Sequence, residues 1–229
     1  MKVEIHSHTS RYSACSCIEP SELVSMAEAS GYDAVFITDH DRVWGRRDLA
    51  MLNETSDRVR LFPGIERTLY DGSHLLVLGA DQGVYEDLAM PDEVLAQACS
   101  DGYLTVLAHP FRYVEELPVY ASSIDALEVR TCNHSLPGHL EAARSYARAH
   151  NMAEVYSSDA HGLNFMNHFW IETDISFDTP QQFRRLIVAG QYQNVMREIR
   201  MPLPPAFKAR SLNELSEDDL GALVFQPCS

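Results

Sequence analysis

No apolar stretch in this 229-residue chain approaches the roughly 20 consecutive residues that a membrane-spanning helix needs, so no membrane role is expected. Cysteine is sparse. There are five, at positions 15, 17, 99, 132 and 228. An odd, scattered set excludes a disulfide framework and predicts reduced thiols in a cytoplasm. Cys15-Ser16-Cys17 lacks the two-residue spacer of a zinc knuckle and reads as small residues in a turn; its closeness to a histidine pair leaves a ligand role for Cys15 open. Basic residues are scarce as well. Eighteen Lys and Arg face 33 Asp and Glu, a net charge of −15. That balance repels polyanions and argues against tight, sequence-independent binding of long nucleic acid, while leaving room for a local pocket for one or two phosphates. A Gly-x-Gly-x-x-Gly signature is missing, which argues against a doubly wound dinucleotide-binding fold. There are no repeats of fixed period and no low-complexity tracts. The first residues run straight into a strand pattern, which predicts no signal peptide.

What is present is ordinary for a soluble globular protein: 45% hydrophobic and 22% charged residues. Apolar runs alternate with helical patterns. Strands are predicted at Val3–His8, Ala34–Ile37, Arg60–Ile65, His74–Gly79, Leu104–Ala108, Asp125–Arg130, Ala153–Ser158, His168–Thr173 and Asn194–Ile199. Helices are predicted from Pro20 to Gly31, over 43–56 with Trp44, Leu49 and Leu52 in the core, from Pro91 to Gly102, over 138–150, and from Pro180 to Gly190. Such alternation means βα units and a parallel sheet, closed or distorted into a barrel, whose site lies at the strand C-terminal ends. Residues 1–200 form the domain; residues 201–229, proline-rich and then acidic, are expected to be a tail packed on the barrel or loosely held.

The strand ends repeat one chemistry. His6-Ser7-His8 places two imidazoles on one face of a strand. Thr38-Asp39-His40, Pro63-Gly64-Ile65-Glu66, Ala108-His109-Pro110 and Ser158-Asp159-Ala160-His161 end later runs, and His74 opens one. Any one of these has an ordinary explanation as a surface or core residue. Five strand ends that all deliver imidazole or carboxylate do not. The mixture suits Zn, Mn or Fe rather than Ca or Mg. Six histidines and two carboxylates are too many for one ion, so two or three divalent ions sharing a bridging carboxylate are expected.

These five motifs resemble those of the PHP (polymerase and histidinol phosphatase) family of metal-dependent phosphoesterases, in order and in spacing, over residues 3 to about 175. The resemblance implies a distorted (β/α)7, TIM-barrel-like fold with the metal site at the C-terminal ends of its strands. It implies one ion held by His6, His8, Glu66 and Asp159, a second by Glu66, His74 and His109, and a third by His40 and His161. Many members add a histidine or aspartate where this chain has Ser13 and Ala14, so the third site is expected to be weaker here. The catalytic group is then a metal-bound water that attacks phosphorus, with no catalytic side chain beyond it. Arg112, and after it Arg11, Arg130 and Arg42, are the candidates for substrate phosphate. Asp39 and Glu128 are candidates for orienting ligand histidines from behind. His134, His139, His150 and His168 fit no motif; His134 and His168 are expected nearest the pocket.

The expected activity is hydrolysis of a phosphate monoester on a small metabolite or nucleotide in the cytoplasm. Two alternatives stay open: a phosphodiesterase or nuclease acting on a short nucleotide, since the family fold also serves as a proofreading domain of polymerases, and a non-catalytic module that binds metal or a phosphometabolite. The charge of −15 and an end near residue 229 without a polymerase domain weigh against the nuclease. Substrate and oligomeric state are not legible.

Overall fold

The computed structural model describes residues 1–112, 114–132 and 138–197. Its elements are β1 (Lys2–Ser7), α1 (Pro20–Ala29), β2 (Ala34–Ile37), α2 (Arg46–Asn53), β3 (Arg60–Thr68), β4 (His74–Leu78), α3 (Val84–Asp87), α4 (Pro91–Asp101), β5 (Leu104–Leu107), β6 (Ala126–Arg130), α5 (His139–Ala149), β7 (Ala153–Tyr156), β8 (Phe169–Glu172), α6 (Pro180–Val188) and β9 (Gln193–Met196). His134, the end of the expected closing strand and the expected tail at 201–229 lie outside the described residues.

The helix limits follow from local chemistry. Proline sits in the first turn of α1, α4 and α6, where its missing N–H is not needed. In α1 the Glu22 carboxylate accepts the Glu19 N–H at 3.1 Å, and in α6 Thr179 and Gln182 exchange side-chain-to-backbone bonds at 3.2 Å. Helix α4 ends at Gly102, whose φ of +71° is a left-handed value that costs glycine little. The second helix is shorter than the sequence suggests and begins at Arg46; Trp44, before it, is nonetheless buried.

The strands form one sheet in the order β7-β6-β5-β4-β3-β2-β1-β8-β9, curled into a nearly closed barrel. Parallel pairing holds for β1–β2, β2–β3, β5–β6 and β6–β7. The expectation of a purely parallel sheet is corrected elsewhere. Strands β3–β4, β4–β5, β1–β8 and β8–β9 pair antiparallel. For β3–β4 the reason is connection length: the turn from Leu69 to Ser73 joins the two strands directly and leaves no room for a crossover helix. Side chains bridge the barrel's seam; the Tyr192 hydroxyl donates to the Glu154 carbonyl at 2.6 Å, and Asn194 makes two bonds. Asn194 of β9 accepts the Tyr156 N–H at 2.9 Å and donates to the Glu154 carbonyl at 2.7 Å, both on β7. Beyond β7 the chain turns back onto β1, where Ala160 pairs with Ser7.

Strands buried on both faces explain the long apolar runs. Val3, Ile5, Phe36, Phe62, Leu76 and Val106 join Phe177 and Phe183 in one core. Alternate residues of β2, Val35 and Ile37, pack with α1 and α2 residues such as Leu23, Ala27 and Leu49. Leu75, Val77, Leu127 and Val129 pack with Val94, Ala98, Ala143 and Ala147 of α4 and α5. Among the described residues no helix is long and apolar enough to cross a membrane.

Candidate metal centre

Strand β1 delivers the first two imidazoles through an irregularity. Its register against β2 slips between Glu4 and Ser7, as in a β-bulge, which re-aims side chains at a sheet end. The bulge would strand two backbone N–H groups. The fully buried Glu4 carboxylate takes them, accepting from Ile5 and His6 at 3.0 Å each, and accepts Ser158 N–H at 3.0 Å with the same oxygen. Burial pushes the Glu4 carboxyl up to about 7. Glu4 thus ties the strand before His6 to the loop before Asp159. The sequence reading missed it; an isolated acid between Val3 and Ile5 in a buried run was the available signal.

Around Glu66 the side chains converge. Its Oε2 lies 3.1 Å from His6 Nε2, His8 Nε2 and His40 Nδ1, and its Oε1 lies 2.7 Å from His74 Nδ1 and 3.0 Å from His109 Nε2. Asp159 Oδ1 lies 3.3 Å from both His6 Nε2 and His8 Nε2 and 3.4 Å from His161 Nδ1. Three sets of ligand atoms lie close enough to share an ion: His6, His8, Glu66 and Asp159; His40, Glu66 and His74; and His8, His40 and His161. All eight residues expected at the metal site therefore gather at one end of the barrel. His74 joins them although it opens a strand, because β4 runs antiparallel to β3 and Thr68 pairs with His74.

Proton positions follow from what stands behind the rings. His6 Nδ1 is 2.9 Å from Glu128 Oε1, and Glu128 also accepts His109 N–H at 2.6 Å and the Ser157 hydroxyl. A carboxylate can only accept, so His6 carries a proton on Nδ1; with that proton alone, as in a metal-bound ring, it presents the Nε2 lone pair to the cluster. The Ser13 hydroxyl donates to Asp39 Oδ1 at 2.7 Å and lies 3.3 Å from His8 Nδ1, which must then be the donor in that contact. His8 therefore also presents Nε2 as a lone pair. Asp39 accepts from Thr9 N–H, Thr9 hydroxyl, the Ser13 hydroxyl and the Trp44 indole N–H, and reaches His8 through Ser13. Ser13 also accepts the His40 N–H at 3.0 Å, so the position that departs from the family pattern fixes two ligand histidines.

The site fits divalent cations on three observations. His8 Nε2 is buried and makes no hydrogen bond of acceptable geometry. Nε2 of His6 and of His8 faces oxygens of Glu66 and Asp159 at 3.1–3.3 Å, so a proton or a shared cation must lie at the inner edge of each ring. Ligands about 2.1 Å from a common tetrahedral ion would be about 3.4 Å apart. Finally, Glu66, Glu128 and Asp159 are essentially unexposed, a charge density that is costly without cations. Burial opposes charge on every one of these groups, but their mutual attraction wins. The carboxyls of Glu66 and Asp159 are held well below their ordinary range by His6 and other imidazoles. His6 is raised well above its ordinary value, and His8 to about 9, by the carboxylates. His40 and His161, half-buried beside the charged His8, fall to about 4. Protons thus hold His6 and His8 where cations would displace them. His109 and Asp159 have φ of +29° and +47°, strain of the kind that collects at functional sites.

The arginines separate. Arg112 Nη1 lies 3.8 Å from Asp159 Oδ2, and the residue lines a cavity with His74 and His109. Arg11 pairs with Asp48 over the Trp44 ring, Arg42 pairs with Glu86, and Arg130 stands over the Phe169 ring. His139 opens α5, His150 stacks on Tyr146, and His168 contacts the Asn164 carbonyl at 2.8 Å; none of these three joins the cluster.

No protein-family model matches this sequence. Over 107 residues, 46% of its length, the chain is 31% identical to the DNA polymerase III PolC-type of Oceanobacillus iheyensis, of which it spans 7%. Solved structures match over most of the chain. A two-domain protein from Bacteroides vulgatus, containing a predicted PHP-like metal-dependent phosphoesterase, superposes with a TM-score of 0.70 at 15% identity, over 86% of this chain and 64% of that one. PsfC from Pseudomonas syringae gives 0.62 at 17% identity, over 86% and 91%. An amidohydrolase from Chromobacterium violaceum, with bound sulfate and no metal, gives 0.58 at 14% identity, over 84% and 98%. The chain therefore has the barrel fold of the PHP-like metal-dependent phosphoesterases, which its five motifs resemble in sequence.

Proposed function

We propose that the chain is a metal-dependent phosphomonoesterase acting on a small phosphorylated molecule. The observation that carries this reading is the Glu66 carboxylate shared among five imidazoles, with Asp159 closing the group. His6, His8, Glu66 and Asp159 would hold one divalent ion, Glu66, His74 and His109 a second, and His40 and His161 a third. Zn, Mn and Fe suit this donor set. Bound cations supply an activated water and neutralise phosphoryl oxygens. The chain's own residues do the rest. Glu128 and the Asp39–Ser13 pair keep the His6 and His8 lone pairs aimed inward. Arg112 stands beside Asp159, where its guanidinium can bind the remaining phosphoryl charge. In the hydrolysis a water oxygen bonds to phosphorus, the ester oxygen leaves with the bonding pair, and that oxygen takes a proton to give the free alcohol and orthophosphate.

Similarity to a polymerase segment favours one second reading, cleavage of a short phosphodiester. Phosphate release from a panel of phosphomonoesters, with Mn or Zn, for wild type and His8→Ala, tests the proposal. Release that needs both metal and His8 is expected. Metal binding without release from any monoester, but with cleavage of a dinucleotide, would replace it by the second reading; binding alone would leave a non-catalytic module.

A further inference from the structure

One cavity opens directly from the ligand cluster. It has a volume of about 220 Å³ and is lined by residues 71–73 of the β3–β4 turn and, from the loop after β5, by Pro110, Phe111, Arg112, Val114, Leu117 and Pro118. His74, His109 and Arg112 form its inner end. Phe111, Val114, Leu117 and Pro118 give the walls an apolar character. Resting on the phosphomonoesterase reading, we infer that this cavity receives the alcohol part of the substrate, and that this part is an uncharged, largely apolar group about the size of one aromatic ring.

Three observations carry the assignment. The first is continuity: His74 and His109, which line the cavity, are also the imidazoles on Glu66 Oε1, so the cavity adjoins the place where a phosphoryl group at the cluster would carry its ester oxygen. The second is size, since pockets for drug-sized ligands run about 300–1,000 Å³ and this one is smaller. The third is the chemistry of the rim. Ser73 donates to Asp71 Oδ1 at 2.6 Å and Tyr120 donates to Asp71 Oδ2 at 2.7 Å. The two hydroxyls lie 2.8 Å apart, and both protons are already committed to the carboxylate. The rim thus keeps a negative charge and has no hydroxyl donor to offer. A second phosphate, or the next nucleotide of a strand, would face Asp71 with no cation from this rim to receive it. A polyol would find few partners along Phe111, Val114 and Leu117. The left-handed φ of Phe111, +66°, belongs to a segment that packs it against the neighbouring core.

The test compares phenyl phosphate, glycerol 3-phosphate and fructose 1,6-bisphosphate as substrates of the metal-loaded enzyme, with wild type and Val114→Asp. Val114 is about half exposed, so the variant should fold, which its melting curve checks. Phenyl phosphate is expected to exceed the other two in kcat/KM by about tenfold or more. In Val114→Asp the phenyl-to-glycerol ratio should fall by about tenfold. Preference for glycerol 3-phosphate or the bisphosphate, or a ratio that ignores the substitution, would overturn the inference while leaving the phosphatase reading intact. If none of the three is hydrolysed, that reading fails. Calorimetric binding of phenylphosphonate against methylphosphonate then decides the cavity's role: a tighter phenyl compound supports it, equal affinity overturns it.

Discussion

Glu128→Gln is the most informative single change, because it alters one proton pattern and almost no volume. The carboxylate accepts three bonds: from His6 Nδ1 at 2.9 Å, from the Ser157 hydroxyl on the same oxygen, and from His109 N–H at 2.6 Å on the other. Glutamine has one acceptor oxygen and one NH2 group. If the NH2 faces His109, two N–H groups meet at a distance where a bond had been. If it faces His6, the ring must flip its proton to Nε2, which removes the lone pair offered to the ion. Both outcomes misplace a ligand histidine. Loss of such a supporting partner weakens metal binding by about 10- to 100-fold, which is about 1.4–2.7 kcal/mol. The assay is competition against a chromophoric chelator for Mn and Zn, with circular dichroism to show that the barrel is intact. Metal affinity unchanged within about twofold, in a folded variant, would refute the reasoning, since each geometric step from Glu128 to the His6 lone pair would then be irrelevant.

Four further outcomes follow from the same geometry. Arg112→Ala should raise KM for a phosphomonoester by about tenfold or more while leaving metal affinity nearly unchanged, as steady-state kinetics beside the chelator assay will show. In metal-free protein the raised pKa of His8, about 9, means that loading at pH 7.5 expels protons; affinity should rise with pH up to about 9, and the calorimetric heat should depend on the buffer's ionisation enthalpy. The same shift has a stability sign: the protonated imidazole supports the metal-free fold fully below pH 6.5, and that support is lost as pH rises through about 9, so melting temperature should fall over this range without metal and be restored by it. Asn194→Ala removes two bonds across the barrel seam and should cost about 1–3 kcal/mol, seen as a melting point lower by several degrees; no change would mean the seam is held elsewhere.

Much of this site was legible because ligand residues punctuate apolar runs. A run such as Ala34–Ile37 must be a buried strand, and Asp39-His40 after it must then sit at the strand's end, whichever way the sheet closes. Strand direction was not legible to the same degree. His74 opens its run where the other ligands end theirs, and the antiparallel pairing of Thr68 with His74 explains why a strand start and a strand end meet. Supporting residues were half legible. Glu128 stands where it can orient His6, but Asp39 reaches His8 only through Ser13, and a hydroxyl that relays an orientation leaves no pattern in a single sequence. Glu4 was hidden for a similar reason: its partners are backbone N–H groups exposed by a bulge, and bulges have no reliable residue signature. Arginine positions were the least legible, since long side chains settle on whichever acid or ring is near, as Arg11 does on Asp48 and Trp44.

The central claim is that one carboxylate, Glu66, binds together a multinuclear metal centre. Metal content per folded chain, measured by mass spectrometry on protein purified without chelator, tests it most directly when wild type and Glu66→Ala are compared. Two or more transition-metal ions per wild-type chain, falling to one or fewer in the variant, is the predicted result. One ion or none in the wild type, or a stoichiometry that Glu66→Ala leaves unchanged, would contradict the account.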